Sequence, residues 1–185
     1  QITALAIEQR YYLVRPSDKI AALTRILENE DVKRALIFAR TRIGTAELAA
    51  ALTQQGFPAE TLNGDLTQEA RERVLNRFRN DKIQILVATD VAARGLDIDD
   101  ITHVFNHDLP SAAEVYVHRI GRTGRASKTG IAISLIAPAE HAHLRRIEVF
   151  TRQKFLRATL PSVEDIMKRR SAQLTEQVTL WLKRG

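Results

Sequence analysis

The sequence contains no cysteine, one tryptophan and one methionine, and only 5% of its residues are aromatic. Without cysteine, disulfides and thiolate metal sites are excluded, which fits a reducing compartment. No stretch approaches the roughly 18 uninterrupted apolar residues of a membrane span. The opening "QITALAIEQR" carries neither a basic leader nor a cleavage signature, so a cytoplasmic protein without a membrane partner is expected. Internal repeats and low-complexity linkers are missing too. What is there is ordinary for one folded domain with an appendage: 185 residues, 44% hydrophobic and 27% charged. The formal charge of +6 is spread along the chain, so a basic patch for a polyanion has to be assembled by folding.

Short β-branched or apolar runs alternate with amphipathic ones. "RYYLV" (10–14), "ALIFA" (35–39), "AETL" (59–62), "IQILVA" (83–88), "THVFN" (102–106) and "IAISLIA" (131–137) read as strands. Between them, Ser17 is expected to cap a helix carrying Ile20, Leu23, Ile26 and Leu27, and Leu48, Ala51 and Leu52 mark a second that Gly56 stops. Thr67 opens a third with Ala70, Val74, Leu75 and Phe78 on one face, and Ser111 with Glu114 forms a capping box for a fourth. This alternation predicts an α/β fold, a mostly parallel sheet with helices on both faces. In such sheets ligands gather at the carboxyl ends of the strands. "RTRIGT", "NGDLTQ" and "TDVAARGLDID" all follow strands there.

Two stretches carry the chemistry. "HRIGRTGR" (118–125) holds three arginines that repel one another unless an anion is shared, with Gly121 and Gly124 permitting close backbone approach. "ATDVAARGLDID" supplies Thr89, Asp90, Arg94, Gly95 and Asp97, a set suited to phosphates and sugar hydroxyls, or alternatively a polar loop whose aspartates cap the next turn. "GRTG" (121–124) also fits the short GXXG loop of KH domains, but a KH domain is too small to account for the preceding strand and helix units. His103, His107, His141 and His143 form no metal-ligand constellation and read as surface or structural. Of Tyr11 and Tyr12, which alternate across a strand, at least one belongs in the core.

"LIFARTR" (36–42), "NGDLTQEAR" (63–71), "ATDVAARGLDI" (88–98) and "HRIGRTGR", in that order and spacing, resemble the second, carboxyl-terminal RecA-like domain of DEAD-box RNA helicases over about residues 9–137. The resemblance implies a RecA-like domain over 1–160 that faces ATP, with Mg2+, across a cleft from a first RecA-like domain. It implies that Arg122 and Arg125 act as arginine fingers, that Asp97, with Gly95, holds the ribose, and that His118 links the nucleotide site to the opposite domain. It assigns RNA phosphates and sugars to Arg42, Gly64, Arg71 and Thr89, although Arg71 also fits a solvated helix face.

The family's phosphate loop and DEAD tetrapeptide, which belong to the first domain, do not occur in this sequence. The chain alone is therefore expected to be inactive. The other reading is a free-standing RNA-binding or dimerisation module without nucleotide chemistry. Residues 161–185 are expected to form a helical extension behind a Ser162–Asp165 capping box, with Val163, Ile166, Met167, Leu174, Val178 and Trp181 near helical spacing. That stripe either packs back on the domain or belongs to a homodimerisation module.

Overall fold

A computed structural model describes residues 7–124 and 129–184. The strands β1 (Ile7–Leu13), β2 (Ala35–Phe38), β3 (Ala59–Leu62), β4 (Ile85–Ala88), β5 (His103–Asn106), β6 (Gly130–Ile136) and β7 (Leu156–Arg157) form one seven-stranded sheet in the order β3-β4-β2-β5-β6-β1-β7. Every pairing is parallel. The helices are α1 (Lys19–Asn29), α2 (Arg42–Gln54), α3 (Gln68–Arg79), the single turn α4 (Asp90–Ala93), α5 (Ala113–Ile120), α6 (His141–Thr151) and α7 (Val163–Arg184).

Both faces of the sheet are covered, because residues of a strand alternate between them. On β2, Ala35 and Ile37 pack with Leu23, Ile26, Leu48 and Leu52 of α1 and α2, while Leu36 and Phe38 pack with Leu75 and Phe78 of α3. Tyr116, Ile120, Leu144 and Ile147 of α5 and α6 cover β1 and β6 on the α3 side. Tyr11 and Tyr12 are both buried, one towards each face.

Of the helix ends expected from the sequence, two differ in the structure. Thr67 accepts from the Ala70 amide at 3.1 Å, and Gly56 ends α2 with φ +92°. Ser17 does not cap α1: Pro16, with its preset φ, starts a 3-10 turn that contains Ser17 and leads into the helix. Nor does Ser111 form a box with Glu114. Leu109 and Pro110 are buried and the backbone stays extended through Ala112 (φ −113°, ψ 139°), so α5 starts one residue too late for a Ser111 cap.

The α7 helix begins with the expected box, Ser162 and Asp165 exchanging amide bonds at 3.0 and 3.1 Å. Its first turns rest on α1 through buried Ile166, an Arg170–Glu28 ion pair and a bond from Arg25 to the Pro161 carbonyl. Beyond Arg170 every described residue is exposed, including Leu174, Val178 and Trp181.

Candidate functional site

The loops after β2, β3 and β4 meet at one edge of the sheet. Thr41 caps α2 by accepting from the Gly44 amide at 2.9 Å, which sets Arg42 at the first helical position, exposed and ion-paired with Asp65. Asp65 sits in a turn held by its own amide on Asn63 Oδ1 at 2.9 Å, and this turn presents Gly64 to solvent. Arg71, on α3, donates to the Ala92 carbonyl at 2.6 Å. Thr89 caps α4 through the Ala92 amide at 3.3 Å and is 8% exposed. All four residues assigned to RNA thus lie at the carboxyl edge, in a layer where α3 and α4 are tied to each other. Thr89 spends its hydroxyl acceptor on the cap.

The chain after α4 turns at Gly95 with φ +72°, a conformation in which a side chain would be strained. Buried Leu96 and Ile98 leave Asp97 exposed between them. Arg122 donates from Nη1 to the Leu96 carbonyl at 2.7 Å, which joins "HRIGRTGR" to the Asp97 loop. Thr123 donates to the Ile101 carbonyl, and a Cβ at Gly130 would collide with Thr123 and the Gly124 amide, so the loop lies directly against the start of β6. His118, Arg122, Arg94 and Asp90 line one shallow cleft of about 140 Å³ over Phe38. Arg125 lies outside the described residues.

The first arginine of the motif has a different place. Arg119 is 4% exposed and grips Asp90 through Nε (2.6 Å) and Nη2 (2.8 Å). Its Nη1 reaches Asn106 Oδ1 (3.0 Å) and the Asp108 carbonyl (2.6 Å), and its guanidinium lies 5.0 Å from the centre of the Phe38 ring. The shared anion expected for three crowded arginines is, for this one, the protein's own Asp90. Sequence reasoning gave Arg119 no separate role. The helical period puts Arg119 on the buried face, three residues after Tyr116 and beside Ile120, but the partners that neutralise it come from other elements.

The four remaining histidines are structural. His103 is buried against Thr102 (2.8 Å) and Glu30 (3.3 Å), burial pushes His107 below its ordinary pKa, His143 meets the Pro110 carbonyl and His141 lies edge-on to Tyr11. The donors fit a nucleotide's charged and hydroxyl groups: guanidiniums at Arg94 and Arg122, an exposed carboxylate at Asp97 and a loop bent at Gly95. They do not fit a divalent cation, because Asp90 is committed to Arg119 and no metal-binding group of acids or histidines occurs among the described residues.

Residues 18–127 match the family described as helicase conserved C-terminal domain. The chain is 43% identical over 178 residues to the ATP-dependent RNA helicase CshA of Listeria monocytogenes, covering 96% of this chain and 34% of that protein. It spans about a third of the length of the curated relatives it matches. Among solved structures, a DEAD box protein from Methanococcus jannaschii superposes with a TM-score of 0.78 at 43% identity, over 85% of this chain and 43% of that one. Saccharomyces cerevisiae Dbp5, bound to RNA and ADP BeF3, gives 0.76 at 32% identity, over 83% of this chain and 42% of that one.

Proposed function

Since the chain belongs to the helicase conserved C-terminal domain family, as the second RecA-like domain of a DEAD-box protein, we propose that it works as half of an ATP-dependent RNA helicase. ATP and Mg2+ are gripped by a first RecA-like domain, and this domain closes over them. Arg122 and Arg125 then stabilise charge on the transferring γ-phosphoryl group, Asp97, with Gly95, receives the ribose, and His118 contacts the first domain. Arg42, Gly64, Arg71 and Thr89 hold the backbone of a single RNA strand.

One observation carries this reading: His118 and Arg122 share a cleft with Arg94, while Arg122 is bonded to the loop that presents Asp97. A nucleotide held opposite would meet positive charge at its phosphates and an acceptor at its sugar. Dbp5, which was solved with RNA and a nucleotide analogue, supports the same two ligands here. The exposed stripe of Leu174, Val178 and Trp181 is assigned to a homodimer.

The test is RNA-stimulated ATP turnover. The chain alone should hydrolyse nothing above background, because without a phosphate loop it cannot position water for attack. Joined to a first domain and given RNA, it should turn over. Arg122→Ala should then lose about 10³-fold, and Arg122→Lys should recover little, since a point charge cannot reproduce the fork. Normal turnover in Arg122→Ala would remove the finger assignment. Hydrolysis by the chain alone would remove the half-enzyme reading.

A further inference from the structure

A second cleft, of about 560 Å³, adjoins the first and shares Asp90, Val115 and Arg119 with it. It opens where β2 and β5 lie side by side, with α2 leaving towards one face of the sheet and α5 towards the other. A crevice at such a switch point is the usual ligand position in an open parallel sheet.

The acids in this cleft are already engaged. Asp90 is gripped by Arg119, and Glu140 accepts the Ala137 amide at 2.8 Å. Asp108 accepts the Arg40 amide at 2.8 Å and lies 3.5 Å from Lys19 Nζ. Burial pushes its carboxyl up, but the Arg40 amide and Lys19, with smaller contributions from His107 and from the Arg40 charge, hold it below the ordinary range.

The guanidiniums of Arg40 and Arg146 are exposed, line the same cleft and form no ion pair with an acid among the described residues. Arg146 is also steered. His143 Nε2 donates to the Pro110 carbonyl at 2.5 Å, which leaves Nδ1 to accept from Arg146 Nη2 at 3.2 Å. A single tautomer satisfies both contacts.

We propose that Arg40 and Arg146 form a phosphate subsite that extends the RNA groove from Arg42 towards β6. The inference rests on the RNA reading of Arg42, Gly64, Arg71 and Thr89. Those residues follow or flank β2, β3 and β4, and the sheet order continues from β4 through β2 and β5 to β6, about 14 Å at ordinary strand spacing. A strand lying along the carboxyl edge runs into the second cleft. Two guanidinium forks there match phosphate oxygens and read no bases.

Salt dependence separates this from the alternatives. The chain joined to its first domain is titrated with a labelled single-stranded oligouridylate over a salt series, in the presence of a non-hydrolysable ATP analogue. Removing one cation from a phosphate lowers the slope of log K against log salt by about 0.7. The Arg40→Ala/Arg146→Ala double variant is therefore expected to lose about 1.4 of slope, and His143→Phe part of the Arg146 share. An oligocytidylate should give the same losses.

A double variant with the unaltered slope, beside an Arg42→Ala protein whose slope falls, overturns the subsite alone. Salt-independent RNA affinity in the unaltered protein overturns the RNA reading together with it. If the pair instead met carboxylates of the first domain, the double variant would keep its slope and lose RNA-stimulated ATP turnover, which also overturns the subsite.

Discussion

A guanidinium that is 4% exposed has to be paired on every side, and Arg119 is, by Asp90, Asn106, the Asp108 carbonyl and the face of Phe38. Asp90→Ala would leave that charge buried without its anion. Loss of one partner from a fully buried pair costs about 3–5 kcal/mol, and because the Asp90 side chain is 43% exposed the expected cost is smaller, about 2 kcal/mol by urea unfolding. An unchanged midpoint would show that Asn106 and the carbonyl suffice. Glu30 is the acid-sensitive residue. The His103 hydrogen bond, opposed by burial and aided by Arg10, holds its carboxyl at about 2 against an ordinary 4.5. A depressed carboxylate stabilises the fold fully above its unfolded value, and that stability is lost as pH falls from about 4.5 through about 2. Acid unfolding of Glu30→Gln should be flatter than that of the unaltered protein across this window.

At the scale of elements, α7 divides into a docked and a projecting half. Ile166 and the Arg170–Glu28 pair fasten the first turns to α1, whereas residues from Ser171 to Arg184 are exposed throughout. Truncation after Arg170 should therefore leave the thermal midpoint of the sheet domain unchanged, while Ile166→Ala should lower it by a few degrees. A truncated chain that unfolds markedly earlier would mean that the projecting half contributes to the monomer. The elements also differ in how clearly they can be read. β2, β4 and β6 announce themselves as apolar runs bounded by turn residues, whereas β1 (IEQRYYL) starts three residues before the expected 10–14 segment and takes in polar Glu8 and Gln9, β3 (AETL) is half polar, and β7 is two residues long, too short for any period. On α6, exposed Val149 and Phe150 stand beside buried Leu144 and Ile147 and blur the stripe that marks an amphipathic helix.

For the whole molecule, the projecting helix is the feature an isolated chain leaves unsatisfied. Trp181 is 72% exposed and Leu174 63%, one row of a helix that no other element covers among the described residues. Sedimentation should detect concentration-dependent self-association that Trp181→Glu weakens, since a carboxylate in an apolar interface is costly to desolvate. A concentration-independent monomer would reject the homodimer. The cleft lined by His118, Arg94 and Arg122 is likewise shallow and open, a form compatible with the proposed closure of a first domain over it.

The amino-acid sequence by itself determined the alternation of strands and helices, the caps at Thr67 and Ser162, the stop at Gly56 and the motifs that identify the family, because each depends on residues close together in the chain. Tertiary structure alone decided which arginine of "HRIGRTGR" would be consumed internally. Asp90 and Arg119 stand 29 residues apart and meet only because α4 and α5 pack on the same face of the sheet. It also decided that β5 would lie between β2 and β6, which brings Arg40 and Arg146 to one cleft. Local patterns report which face of an element is apolar. Which elements become neighbours is settled by how the sheet orders its strands, and the charged side chains carried to its edge follow that order.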